Sequence, residues 1–264
     1  DKRILNICDQ PENVVRSVSR LLGCKWEDLD PVYFGLNHYG WFTHVYDAHT
    51  GEDLLPKVRE MVKEKGFLPQ DAEQRDQSWL DTYGMVQTIM ADFPEFLPNT
   101  YDQYYLYPDY KVSHLDPNFT RADEVMAGRE KRVFTECAEV IKEGKLGDKF
   151  HAISDAHAEM MIKVAEAIAY NKNDRHILIV ENNGAIANMK DDAMVEVVCE
   201  LGINGPRPMR VGNIPQFNLG LLVNQVSCEK LIVDAYFENS YQKALEAFTL
   251  NRLINDAKKA RKVL

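Results

Sequence analysis

The chain predicts a mixed helix-and-sheet fold of the α+β class, on three observations. Short β-branched and aromatic runs, such as Val32-Tyr33-Phe34-Gly35-Leu36 and His176-Ile177-Leu178-Ile179-Val180, are bounded by turn residues and read as buried strands. Longer segments between them carry apolar residues at helical spacing. No period repeats, no segment is of low complexity, and no Pro/Gly/Ser linker divides residues 1–264.

Taken in order, Ile4-Leu5-Asn6-Ile7 reads as a short strand that ends on Cys8 and Asp9. A helix is predicted from Glu12 to Leu22, with Val14, Val15, Val18, Leu21 and Leu22 as its stripe and Gly23 as its stop. Pro11 sits near the first turn, where proline is tolerated. Strand, corner and helix together read as the last piece of an α/β layer. Residues 32–36 and 42–47 are expected as strands broken by a turn at Gly40, and Leu54 to Lys65 as a helix. Residues 66–120 hold Pro69, Pro94, Pro98, Pro108 and Pro117 and are rich in tyrosine, so helices there are expected to be short or interrupted. A helix from Ala122 to Glu143 is expected to turn Val125, Met126, Val133 and Cys137 inward. Another runs from Asp155 to Asn171, and Asn182-Asn183-Gly184 breaks the strand after Val180. Leu221 to Phe237 reads as a core helix, part of which buries an interface between copies. Leu245, Phe248, Leu253, Ala257, Ala260 and Leu264 continue at helical spacing.

Composition narrows the function. The 264 residues are 45% apolar and 27% charged, with a formal net charge of -10. That acidic balance argues against nucleic acid or an anionic membrane as the main partner. Cys8, Cys24, Cys137, Cys199 and Cys228 show no CxxC spacing, so free thiols in a reducing cytoplasm are expected. No run of 18 apolar residues exists to span a membrane. The chain starts without Met, directly on a strand, and is read as a fragment lacking its N-terminal part. No two glycines sit two apart, so no GxGxxG fingerprint is present, and P-loop, HExxH and GxSxG patterns are absent too.

The chemistry-bearing residues are few. One apolar run delivers the thiol of Cys8 and the carboxyl of Asp9; another leads to the imidazole of His38. Thiolate and imidazole suit a borderline divalent metal, and the carboxyl can move a proton. Each has a bland reading as well. Cys8 can be a small buried hydrophobe, His38 a structural histidine, Asp9 a helix cap and Arg121 one half of a helix-start ion pair. His44, His49, His114, His151, His157 and His176 have no metal-like spacing.

Order now adds to spacing. Ile4–Pro11 (Ile-Leu-Asn-Ile-Cys-Asp-Gln-Pro), Tyr33–Trp41, Pro98-Asn99-Thr100-Tyr101, Thr120-Arg121-Ala122-Asp123-Glu124, Glu181–Ile186 and Val211-Gly212-Asn213-Ile214-Pro215 occur in the order of a known family. Together they cover nearly the whole chain, and they resemble glycoside hydrolase family four. The resemblance implies a C-terminal metal- and substrate-binding domain, akin to the substrate domain of the lactate/malate dehydrogenase superfamily. Residues 1–24 would be the last strand and helix of a Rossmann domain that is otherwise missing. In Cys8-Asp9-Gln10-Pro11, Gln10 stands where the 6-phospho-α-glucosidase pattern has Met. The implied substrate is a phosphorylated disaccharide such as maltose 6'-phosphate.

The resemblance also implies roles. Mn²⁺, or another divalent metal, would be held by Cys8 and His38, and NAD by the missing N-terminal domain. Asp9 would protonate the leaving oxygen and Tyr101 would take the C2 proton, its pKa lowered by a nearby cation. Arg121 and Asn37 would bind the substrate. A homodimer or homotetramer is expected, and the isolated fragment is expected to be inactive. Three alternatives remain: a 6-phospho-β-glucosidase or other family-four glycosidase, a metal-independent hydroxy-acid dehydrogenase, and a non-enzymatic binding or oligomerisation module.

Overall fold

A computed structural model of the chain describes residues 4–145 and 156–264. Its centre is a six-stranded sheet in which every pairing is antiparallel. The strands are β1 (Leu29–Leu36), β2 (Tyr39–Asp47), β3 (Leu97–Pro98), β4 (Asp174–Glu181), β5 (Met194–Gly202) and β6 (Gly205–Pro208). They lie in the order β3-β2-β1-β5-β4, with β6 also paired to β5.

Alternation along the strands sends consecutive side chains to opposite faces, and both faces are covered. Tyr33 packs on Phe42 with ring centroids 4.7 Å apart, while their neighbours Phe34 and Trp41 meet at 5.5 Å. The Tyr33 side forms a core with Val14, Val15 and Val18 of α1 (Gln10–Leu22), Val58 and Val62 of α2 (Leu55–Lys65), and Tyr83 and Val86 of α3 (Gln77–Asp92). The Phe34 side forms the other core. It takes in Leu178 and Val195, Val164 and Ala167 of α7 (Ala156–Ala169), and Leu221 and Leu222 of α8 (Gln216–Glu238). Two short helices follow β3, α4 (Asp102–Leu106) and α5 (Pro108–Ser113). The long α6 (Arg121–Glu143) comes next, and α9 (Tyr241–Leu250) and α10 (Ala257–Val263) end the chain. The mixed α+β expectation holds, as do the helices closed by Gly23 and spanning Leu55–Lys65.

Several local expectations need correction. Ile4–Ile7 is not a strand: only Asn6 pairs, through its carbonyl oxygen and the N–H of Ile179 at 3.0 Å, and Ile4 is 68% exposed. Residues 1–3 and Asp155 lie outside the described residues. The β1–β2 turn is Asn37-His38, not Gly40; His38 adopts φ +63° and Gly40 continues β2 opposite Gly35. Helix α3 is long, because Pro69 and Pro94 flank it rather than interrupt it. Helix α6 forms and Val125 is half-buried, but Met126 is 61% exposed and Val133 and Cys137 are exposed too, so most of the expected stripe does not face the core. Helix α8 is likewise only partly core: Leu221, Leu222 and Cys228 are buried while Tyr236 and Phe237 are exposed. Strand β5 has no counterpart among the strands expected above, although it lies inside the sheet.

Candidate active site

Helix α1 starts at the corner that carries Cys8 and Asp9. Pro11 lies in its first turn, which fixes the entry of the chain. Asp9 is the N-cap residue, but its side chain makes no cap hydrogen bond; it accepts from Asn13 Nδ2 at 2.9 Å. The helix-cap reading of this carboxyl is therefore not what the structure adopts. Cys8 Sγ accepts from the N–H of Gln10 at 3.5 Å. Burial, opposed by that bond and reinforced by the charges of Glu196 and Asp9, pushes the Cys8 thiol up to about 12.

His38 reaches the same place from the β1–β2 turn. Its ring lies edge-on to Tyr101, centroids 4.7 Å apart. Desolvation lowers its pKa, against an opposing pull from Asp9, so the ring is neutral at pH 7 and offers a lone pair. A positive φ in a residue other than glycine is uncommon, and this one lies at a candidate functional position.

Tyr101 follows β3. Burial raises its phenol to about 12; Tyr104, Cys8 and Asp9 push the same way, and Arg121 pulls it down. The expectation of a lowered phenol is thus reversed in the protein alone, because desolvation outweighs Arg121. The rings of Trp79 and Tyr104 flank Tyr101 at 6.1 and 5.8 Å.

The loop carrying Tyr101 is fastened to β2 and to α1. Asn99 N–H donates to Gly40 O at 2.8 Å, and Gln10 Nε2 of α1 donates to Thr100 Oγ1. Asp102 accepts from Gly40 N–H at 3.2 Å, and burial raises its carboxyl well above the ordinary range. Asn99, Thr100, Asp102 and Gln10 are all buried, as is Glu196 of β5, whose carboxyl burial pushes up to about 8. None of these five was singled out as a site residue from the sequence. For Glu196 a signal existed: an acid inside the β-branched run Val195–Val198.

The remaining candidates lie further out. Asn37 is exposed beside His38 in the turn. Arg121 opens α6, and its Nη1 donates to Asp76 at 3.0 Å, Ser78 at 2.7 Å and Glu124 at 2.6 Å, so the helix-start ion pair is present. Its guanidinium also sits 5.8 Å from the Trp79 ring centroid. Asn182 is a structural organiser: its side chain is buried and bonds the backbone of Ile186, Met189 and Lys190. A half-open cleft of about 620 Å³ touches Cys8 together with Arg175 and His176, but not Asp9, His38 or Tyr101.

The donor set fits a divalent ion. Negative charge on the neighbouring carboxyls opposes a lone thiolate at Cys8 and would favour a cation beside it, and the His38 imidazole is of the type that ligates such an ion. Among the described residues no group of three or more His, Cys, Asp or Glu side chains is placed to hold a metal.

Comparison with known proteins shows the family. Residues 33–254 match the Family 4 glycosyl hydrolase C-terminal domain. The maltose-6'-phosphate glucosidase of Fusobacterium mortiferum is 45% identical over 268 residues, covering 100% of this chain and 60% of that protein. A crystal structure of a 6-phospho-α-glucosidase from gut microorganisms, in complex with NAD and Mn²⁺, superposes with a TM-score of 0.95 at 81% identity, covering 100% of this chain and 60% of that one. A second 6-phospho-α-glucosidase from gut microorganisms, in complex with NAD and glucose-6-phosphate, superposes with a TM-score of 0.91 at 43% identity, covering 99% of this chain and 59% of that one. The chain spans about 60% of the length of the curated relatives it matches. On these grounds the chain belongs to the family 4 glycosyl hydrolases, and what it represents is their C-terminal domain.

Proposed function

We propose that this chain is the metal- and sugar-binding part of an enzyme that hydrolyses 6-phospho-α-glucosides, such as maltose 6'-phosphate. The observation that carries the reading is the convergence of Cys8, Asp9, His38 and Tyr101 from three separate parts of the chain. Residues 1–24 would complete an N-terminal NAD-binding domain that lies outside the chain, and the whole enzyme would assemble as a homodimer or homotetramer.

Cys8 and His38 would hold the metal. When bound, Mn²⁺ would supply a Lewis acid that acidifies the C2 proton and lowers the Tyr101 phenol, while NAD⁺ would reversibly take the C3 hydride. Tyr101 then removes the C2 proton as the bond from C1 to the glycosidic oxygen breaks, Asp9 gives a proton to that departing oxygen, and water then adds at C1 while a proton returns to C2. Arg121 binds the sugar phosphate. Its bonds to Asp76, Ser78 and Glu124 among the described residues all run through Nη1, so the rest of its fork can meet phosphate oxygens. Asn37 adds a polar contact at the mouth of the site.

The test is turnover of paired 6-phospho-α- and 6-phospho-β-glucosides by the full-length enzyme, with NAD⁺ and Mn²⁺ each omitted in turn. Cleavage of the α-substrate that requires both additions is expected. Metal-independent oxidation of a hydroxy acid would instead establish the dehydrogenase reading. The isolated chain is expected to show no turnover of p-nitrophenyl 6-phospho-α-glucoside.

A further inference from the structure

The sheet interior holds an acid that this chemistry does not use. Glu196 is 0% exposed, and its Oε1 has no hydrogen-bond partner among the described residues. Burying a carboxyl is costly, and an apolar residue would fill a strand interior more cheaply. Its other oxygen, Oε2, accepts from the Tyr33 hydroxyl at 3.0 Å. The Tyr33 oxygen accepts in turn from Asn99 Nδ2 at 3.4 Å, and Asn99 Oδ1 accepts from the backbone N–H of Tyr101 at 3.0 Å. A continuous line of hydrogen bonds therefore runs from β5, through β1, to the residue that carries the phenol.

The line has a direction, and Glu196 sets it. Glu196 Oε2 accepts from the Tyr33 hydroxyl, so Tyr33 donates to it and presents a lone pair to Asn99. That makes Asn99 turn its NH₂ toward Tyr33 and its carbonyl oxygen toward the Tyr101 N–H. Without an acceptor at position 196, the Tyr33 hydroxyl is free to donate to Asn99 instead. The amide then flips, and its NH₂ opposes the Tyr101 N–H, donor against donor.

A second observation shows that the backbone keeps room for this line. A Cβ on Gly40 would lie 2.4 Å from the Tyr33 hydroxyl oxygen, and one on Gly35 would lie 2.4 Å from Gly40 Cα. Neither glycine has a positive φ, so close approach rather than backbone freedom explains both.

We propose that Glu196, acting through Tyr33 and Asn99, is a positioning residue for Tyr101, holding the phenol in its place beside Cys8, Asp9 and His38. The inference rests on Tyr101 being the base of the proposed reaction.

The experiment uses the full-length enzyme and a 6-phospho-α-glucoside carrying deuterium at C2. It compares wild type with Glu196→Met, Glu196→Gln, Tyr33→Phe and Tyr101→Phe. Glu196→Met and Tyr33→Phe should each lower kcat by roughly tenfold to a hundredfold, the scale of a small misplacement of a reacting group. Their KM and Mn²⁺ affinity should hold, and the C2 isotope effect should grow as proton removal slows. Glu196→Gln keeps an acceptor and should recover most of the rate. Wild-type kcat and isotope effect in folded Glu196→Met and Tyr33→Phe would overturn the proposal, and so would a loss of kcat accompanied by equal losses of Mn²⁺ affinity and thermal midpoint. Tyr101→Phe separates the two layers. If it is inactive while Glu196→Met is fully active, only the positioning role falls; if it keeps wild-type kcat, the base assignment falls.

Discussion

The loop Asn99–Asp102 and the helix α6 both carry candidate site residues, and they are held in opposite ways. Asn99, Thr100 and Asp102 are 0% exposed and bonded to β1, β2 and α1. Helix α6 begins with Arg121 and then exposes Met126, Phe134 and Ile141 along its length. Its start is held by a capping box, in which Thr120 and Asp123 bond each other's backbone, and by surface ion pairs to Asp76 and Glu124. The contrast teaches that the group proposed to move a proton sits on a loop fixed by buried, directional bonds. The group proposed to attract a phosphate is held by exchangeable charges on the surface.

The sharpest way to break that contrast is Tyr101→Phe. It should lower kcat of the full-length enzyme by about 10²- to 10⁴-fold, the usual worth of a general base. Arg121→Ala should instead raise KM for the phosphorylated substrate more than it lowers kcat. Steady-state kinetics on both variants decides it; equal effects on KM would erase the distinction drawn between the two regions.

Stability sharpens the same comparison. Phe34 is 0% exposed between the sheet and its covering helices, and Phe34→Ala should cost about 3–5 kcal/mol in urea unfolding. Phe134 on α6 is 68% exposed, and Phe134→Ala should change the same measurement by less than about 0.5 kcal/mol.

The buried acids give a pH signature to the rigid region alone. Glu196 is raised to about 8 and Asp102 well above the ordinary carboxyl range, so the folded state holds protons that the unfolded state releases. The contribution of Glu196 to stability is full below the ordinary carboxyl pKa and is lost as pH rises through about 8, and that of Asp102 is likewise lost as pH rises. The thermal midpoint should fall across that window, and Glu196→Gln should flatten the fall. A midpoint that rises with pH there, unchanged by the substitution, would count against a buried, proton-holding Glu196.

The smallest effect belongs to the α6 cap. Thr120→Ala removes one half of the capping box, worth about 1 kcal/mol. Because α6 packs on little, the loss should stay local: hydrogen exchange of its first-turn amides should speed up roughly fivefold with no shift in global unfolding. A shift of the whole unfolding curve would mean that α6 is part of the cooperative core.

Much of this was legible in the sequence because the decisive signals are local. The stripe from Val14 to Leu22, the stop at Gly23 and the β-branched run 176–180 each specify their element without help from distant residues. The ordered motif blocks brought Cys8, Asp9, His38 and Tyr101 into one reading, and the structure places them together. What escaped was relational. The β1–β2 turn was expected at Gly40 because glycine usually marks a turn, whereas this glycine serves the close passage of the Tyr33 hydroxyl. Glu196 stands out only as an acid in a β-branched run, and its burial is settled by β5 lying inside the sheet. The stripe on α6 predicted burial, but periodicity shows that a helix has an apolar face and not what covers it.

The central claim is that Cys8 and His38 form the metal-binding end of this site. Its most direct measurement is Mn²⁺ binding to the full-length enzyme, followed by electron paramagnetic resonance, for wild type, Cys8→Ala and His38→Ala across pH. A thiol at about 12 must release a proton to become a ligand, so wild-type affinity should climb about tenfold per unit between roughly pH 7 and pH 9. Each substitution should weaken binding at least tenfold, on the order of losses at metal ligands and their supports, and Cys8→Ala should abolish the pH slope. Mn²⁺ affinity that is independent of pH and unchanged in Cys8→Ala would contradict the account.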